Sequence, residues 1–125
     1  MKPTEEQIKE FWEWCGFKQL PKGKEGFHFE RGIKVMNWLS PNPDRQEWFY
    51  SQHFLPRIDL NNLFKWAVPK LLGLGLDIDI WNGLADKETR WGVGINSMIR
   101  EVAKGYEGDP ALALFWAIWE VHEEV

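Results

Sequence analysis

The sequence predicts an α+β domain in which amphipathic helices are layered against antiparallel strands, and three observations carry that prediction. Apolar residues recur at helical spacing near residues 4–16 and 59–68. Two further stretches alternate apolar with other residues around turn signals, and residues 109–122 are apolar over most of a helical circumference. The last stretch organises the rest. Asp109 can cap a helix whose first position is Pro110, where a missing N–H costs nothing. At about 100° per residue, the arc from Ala117 and Val121 through Leu114, Ile118, Phe115 and Leu112 to Trp119 and Trp116 is apolar, with Glu120, Glu123 and Glu124 on the remainder. Such a helix is packed on most sides, and it is too short to span a bilayer, so its packing partner is the rest of the chain. The predicted order is helix, hairpin, helix, hairpin, helix, within one domain covering residues 1–125.

The first helix starts at Thr4-Glu5-Glu6-Gln7, a capping box in which the Thr4 hydroxyl and the Gln7 amide each satisfy the other's backbone N–H. Ile8, Phe11, Trp12 and Cys15 then form an inward stripe. Gly16 follows as a left-handed terminator, and Phe17 as the apolar partner of Trp12. Residues 19–26 read as a loop. Phe27-His28-Phe29 and Ile33-Lys34-Val35 form the first hairpin, with Glu30-Arg31-Gly32 as its connection, and Pro41 and Pro43 end it. The aromatic stretch at residues 47–54 has no clean period. Asp59 caps a second helix with Leu60, Leu63, Phe64 and Ala67 on one face, expected to end near Val68 because Pro69 follows. Leu74, Leu76, Ile78 and Ile80 alternate with Gly75, Asp77, Asp79 and Trp81, the period of a strand with one face buried. Asn82-Gly83 starts a turn, and Trp91, Val93 and Ile95 return. Residues 97–104 fit either a strand extension or a short helix, and residues 105–109 form the loop into the last helix.

Composition narrows the function classes. Nine Trp and eight Phe in 125 residues supply large apolar areas, and most of these rings are expected in the core. The net charge of −4, with basic residues scattered along the chain, lacks the footprint of a duplex-binding protein. Cys15 has no second cysteine to pair with, and residues 1–20 hold neither a signal-peptide apolar run nor a membrane-length segment, which points to a reducing cytoplasm and no membrane contact.

Two runs, LPRIDLNNLFKWAVPKL at residues 55–71 and GDPALALFWAIWEV at residues 108–121, resemble the hallmark stretches of the phage ABA sandwich domain family, small proteins encoded by bacteriophages and prophages. Trp14, Gly16 and Phe17 are similar to that family's Trp-x-Gly-Phe helix end, and Trp38 with Pro41 to its Trp-x-x-Pro segment. The resemblance implies a sheet layered between helices and a phage or prophage accessory protein in a host bacterial cytoplasm. It implies no catalytic residues or cofactor. Residues 18–53 depart from the family pattern outside the Trp-Pro pair.

The candidate chemistry is sparse. Asp77 and Asp79 share a strand face, as a metal or acid–base pair would, yet alternate acids more often simply solvate a strand. His28, His53 and His122 are scattered, and His122 near the end of the last helix is explained by burial or by the helix dipole. Cys15 has no basic neighbour to activate it, and Ser40, Ser51 and Ser97 lie in no nucleophile motif. The glycines at 73, 75, 92 and 94 match no phosphate-binding fingerprint and suit close backbone approach instead. These features predict a non-enzymatic domain with no cofactor or metal that binds a protein partner or a second copy of itself. The contact rings are those the core periods explain least: Trp14, Trp48, Tyr50 and Trp81. Stacking of single-stranded nucleic acid or carbohydrate on the same rings is the alternative.

Overall fold

The computed structural model of the chain describes residues 1–19, 27–30, 33–41, 48–50, 55–85 and 88–124, with backbone alone described at 27–30, 33–37, 48–50, 84–85 and 88–89. It is an α+β protein with two small antiparallel sheets. Contacts divide it into two compact units, Thr4–Arg57 and the combination of Met1–Pro3 with Ile58–Val125.

In the Thr4–Arg57 unit, helix α1 (Glu5–Trp14) begins with the expected capping box: Thr4 Oγ1 accepts from Gln7 N–H at 3.1 Å, and Gln7 Oε1 accepts from Thr4 N–H at 2.9 Å. Gly16, at φ +110°, ends it. Gly16 N–H donates to the Glu13 carbonyl and Phe17 N–H to the Trp12 carbonyl, the paired closing bonds that a left-handed residue makes possible. Phe11, Trp12, Cys15 and Phe17 are buried, and the Trp12 and Phe17 rings meet edge to face at 5.4 Å. The Trp12 indole N–H donates to the Pro56 carbonyl at 2.8 Å.

The strands of this unit are β1 (Lys18–Gln19), β2 (Phe27–Glu30), β3 (Ile33–Leu39) and β4 (Trp48–Tyr50). The β2–β3 hairpin occurs as expected, with Glu30 opposite Ile33. However, β3 also pairs with β1 and β4, so a four-stranded sheet replaces the expected two-stranded ribbon. These two strands are two and three residues long, too short for any alternation to reveal.

The second unit opens with α2 (Leu60–Asn62), capped by Asp59, whose Oδ1 accepts from Asn62 N–H at 2.8 Å. The expectation of an end near Val68 is corrected. The chain passes through a π-helical turn at Leu63–Ala67 and continues as α3 (Val68–Gly73). Val68 N–H donates to the Leu63 carbonyl five residues back, so Pro69 falls in the first turn of α3, where no donor is required. The wider turn also rephases the buried face. Trp66 and Val68 join Leu63, Ala67 and Leu71 inside, whereas Phe64, expected inside, is exposed.

Gly75, at φ +77°, closes α3 with the same paired bonds, Gly75 N–H to Leu72 and Leu76 N–H to Leu71. A three-stranded sheet follows, ordered β5 (Asp77–Ala85), β6 (Glu88–Asn96), β7 (Glu101–Glu107). Two expectations fail here. Asn82 and Gly83 continue the strand, opposite Trp91 and Arg90, instead of turning it. The expected loop at residues 105–109 belongs largely to β7, which makes the second ribbon a three-stranded sheet.

Helix α4 (Pro110–Glu124) is capped by Asp109, whose Oδ1 accepts from Ala111 N–H at 2.8 Å. It packs on β6 and β7 and on the π-helical turn. Leu114, Phe115, Ile118 and Val121 are buried, each contributing about 1.5–3 kcal/mol of transfer free energy. Gly105 permits the close approach, because a Cβ there would strike the carbonyl oxygen of Ala113.

Candidate functional site

Register and alternation divide the β5–β7 sheet into two faces. Half-buried Ile78 and Ile80 share one face with buried Val93, Ile95, Ala103 and Gly105, and α4 packs on that face at β6 and β7. The residues between them form an open face in three rows: Trp81, Gly92 and Tyr106; Asp79, Gly94 and Lys104; Asp77, Asn96 and Glu101. A register shift at Ile95/Asn96 keeps Glu101 on this open side, with Oε2 over Gly94.

At its centre is an aromatic corner. The Trp81 indole leaves its own strand and lies over Gly92, and its far edge reaches Gly94 at 3.3 Å from a notional Cβ. Any side chain at 92 would collide with the ring. Tyr106 stands beside it, with ring centroids 6.0 Å apart and planes at 76°. Trp81 is 38% and Tyr106 49% exposed. Around the corner, Asn96 Nδ2 donates to Asp79 Oδ2 at 2.9 Å, and Lys104 Nζ lies 3.2 Å from Glu101 Oε1. That hydrogen bond and the Glu101 charge raise the Lys104 pKa above 10.5.

A second feature sits at one end of the same sheet. The β6–β7 connection is a tight turn closed by Ser97 N–H to the Arg100 carbonyl at 2.8 Å, with Arg100 N–H donating back to Ser97 Oγ at 3.3 Å. Its two central side chains, Met98 and Ile99, are 101% and 91% exposed. Pairing of Asp77 with Asn96 brings the approach to β5 to this same end, and there Leu72 and Leu74 are exposed as well.

Of the four rings expected at a contact surface, Trp81 is exposed as predicted. Trp14 is half-buried, and it makes contacts within the fold. Trp48 and Tyr50 lie on β4, paired with Leu39 and Asn37, and their side chains fall outside the described residues. Sequence reasoning misses Tyr106, because residues 105–109 read as a loop. It also misses Met98 and Ile99, which an apolar pair between Ser97 and Arg100 in a turn-length segment could have signalled.

Asp77 and Asp79 are both exposed, and among the described residues no three His, Cys, Asp or Glu side chains are grouped to hold a metal ion. His122 is half-buried against Trp119, ring centroids 4.6 Å apart, in the last turn of α4. Ser40 and Cys15 are buried. His28 has its backbone in β2, and His53 and Ser51 lie outside the described residues.

Among the described residues, no helix is long and apolar enough to cross a membrane. No family model matches the chain, and no curated protein sequence matches it.

Proposed function

We propose that the chain is a non-enzymatic protein-interaction domain whose contact point is the 97–100 turn. One observation carries the proposal: Met98 and Ile99 stand fully exposed on a turn whose own hydrogen bonds hold them outward. Burying two such side chains in a partner's groove gains about 1.5–3 kcal/mol each, and a turn already closed loses little entropy on docking. Exposed Leu72 and Leu74 at the same end of the sheet enlarge the apolar area available to that partner. The motif likeness at residues 55–71 and 108–121 supports a phage or prophage accessory role in a bacterial cytoplasm.

A photo-reactive p-benzoylphenylalanine at position 98 tests this in bacterial cells. The expected result is one discrete adduct, suppressed by excess unlabelled protein but not by excess of the Met98→Ser, Ile99→Ser double variant. An adduct with the chain itself identifies the partner as a second copy. No adduct, or equal competition by the double variant, refutes the proposal.

A further inference from the structure

We infer that the Trp81–Tyr106 corner is a separate binding site, distinct from the 97–100 turn, for a neutral hexopyranose ring. The indole is held in place without being covered. Bare backbone at Gly92 and Gly94 lets it lie over β6, yet more than a third of its surface stays in water. Tyr106, nearly perpendicular at 76°, turns this into a floor and a wall.

A π-face is the negative pole of an aromatic quadrupole, so it attracts the polarised C–H groups of a pyranose face and offers them apolar area. The hydroxyls radiating from such a ring then need acceptors and donors at the rim. Asp79 supplies an acceptor and Lys104 a donor on the row next to Trp81, and from the row beyond, Asn96 adds a donor beside Asp79 and Glu101 an acceptor over Gly94.

Charge selects among flat ligands. Among the described side chains, three carboxylates, Asp77, Asp79 and Glu101, face two cations, Arg90 and Lys104, across this surface. A single-stranded nucleic acid needs a positive groove for its phosphates, and the described side chains of this face provide none. A second copy stacked corner to corner about a two-fold axis gains no net charge attraction from a face whose majority sign is its own. A neutral ligand rich in hydroxyls carries no such penalty.

The test is a titration of the folded protein with maltohexaose, cellohexaose and chitohexaose, and separately with oligothymidylate, followed by Trp emission and by the Gly92 and Gly94 amide resonances. At least one sugar is expected to bind at about millimolar affinity or tighter, with Trp81→Ala weakening it by about tenfold or more and Tyr106→Ala by less. The Met98→Ser, Ile99→Ser variant, which disables the turn, is expected to bind the sugar unchanged, so failure of one proposal is separable from failure of the other. Retained α4 packing in each variant is read from the Leu114 and Ile118 methyl resonances. The inference is overturned if no sugar shifts the Gly92 and Gly94 signals, if Trp81→Ala binds as tightly as the parent, or if oligothymidylate binds in preference.

Discussion

Trp81 occupies the space that a side chain at Gly92 would need. The two are opposite each other in the β5–β6 register, so the ring is seated by the absence of a neighbouring Cβ as much as by any attraction. Gly92→Ala is therefore expected to lower stability by about 1–3 kcal/mol through overpacking. In a Trp81→Ala background the same change should cost close to nothing, a non-additivity that urea denaturation of the four variants measures directly.

Gly105 meets a harder obstacle. Its missing Cβ faces the backbone of α4 at Ala113 and Ala117, which cannot rotate away as an indole can. Gly105→Ala should cost about 3 kcal/mol or more, whereas Gly108→Ala, which points into open space, should stay within about 0.5 kcal/mol of the parent. Thermal melts of both variants check the contrast.

Gly73 and Gly75 lie two residues apart and should respond with opposite signs. Gly73 is the last residue of α3 with nothing near its notional Cβ, so alanine there is expected to add about 0.5–1 kcal/mol of stability. Gly75 holds φ +77°, where an L side chain costs about 1–2 kcal/mol, and alanine should destabilise by that amount. Equal effects at the two positions would contradict the assigned helix end.

Trp12→Phe preserves most of the buried ring area but removes the indole donor to the Pro56 carbonyl. The carbonyl then loses a buried partner, and stability is expected to fall by about 1–3 kcal/mol by chemical denaturation.

Lys104 gives the pH dependence. Its folded-state pKa is raised by Glu101, so the stabilisation from that contact is fully present below the ordinary value of 10.5 and is lost as pH rises through the higher folded value. A 13C titration of the Lys104 ε-carbon should show a midpoint above 10.5, and Glu101→Gln should bring it down.

The helix ends were legible because their interactions are local. Thr4 with Gln7, Gly16 with Glu13, Asp59 with Asn62 and Asp109 with Ala111 each join residues two to three apart, and the residue types alone name the bond. The alternation around Asp77 to Trp81 likewise revealed a strand and its outward ring. Pro69 misled for an equally local reason: a proline ends an α-helix, and only the π turn before it lets the chain continue.

What the sequence by itself determined, then, is where helices begin, which stripe of α1 and α4 turns inward, and that Trp81 faces out. Tertiary structure alone decided that β7 joins the sheet, that Tyr106 meets Trp81 across Gly92, and that Met98 and Ile99 crown a turn. The reason is one of range. Caps and periods are set by neighbours within about one helical turn, whereas strand partners and register come from pairing between distant segments, and that pairing assembles the aromatic corner.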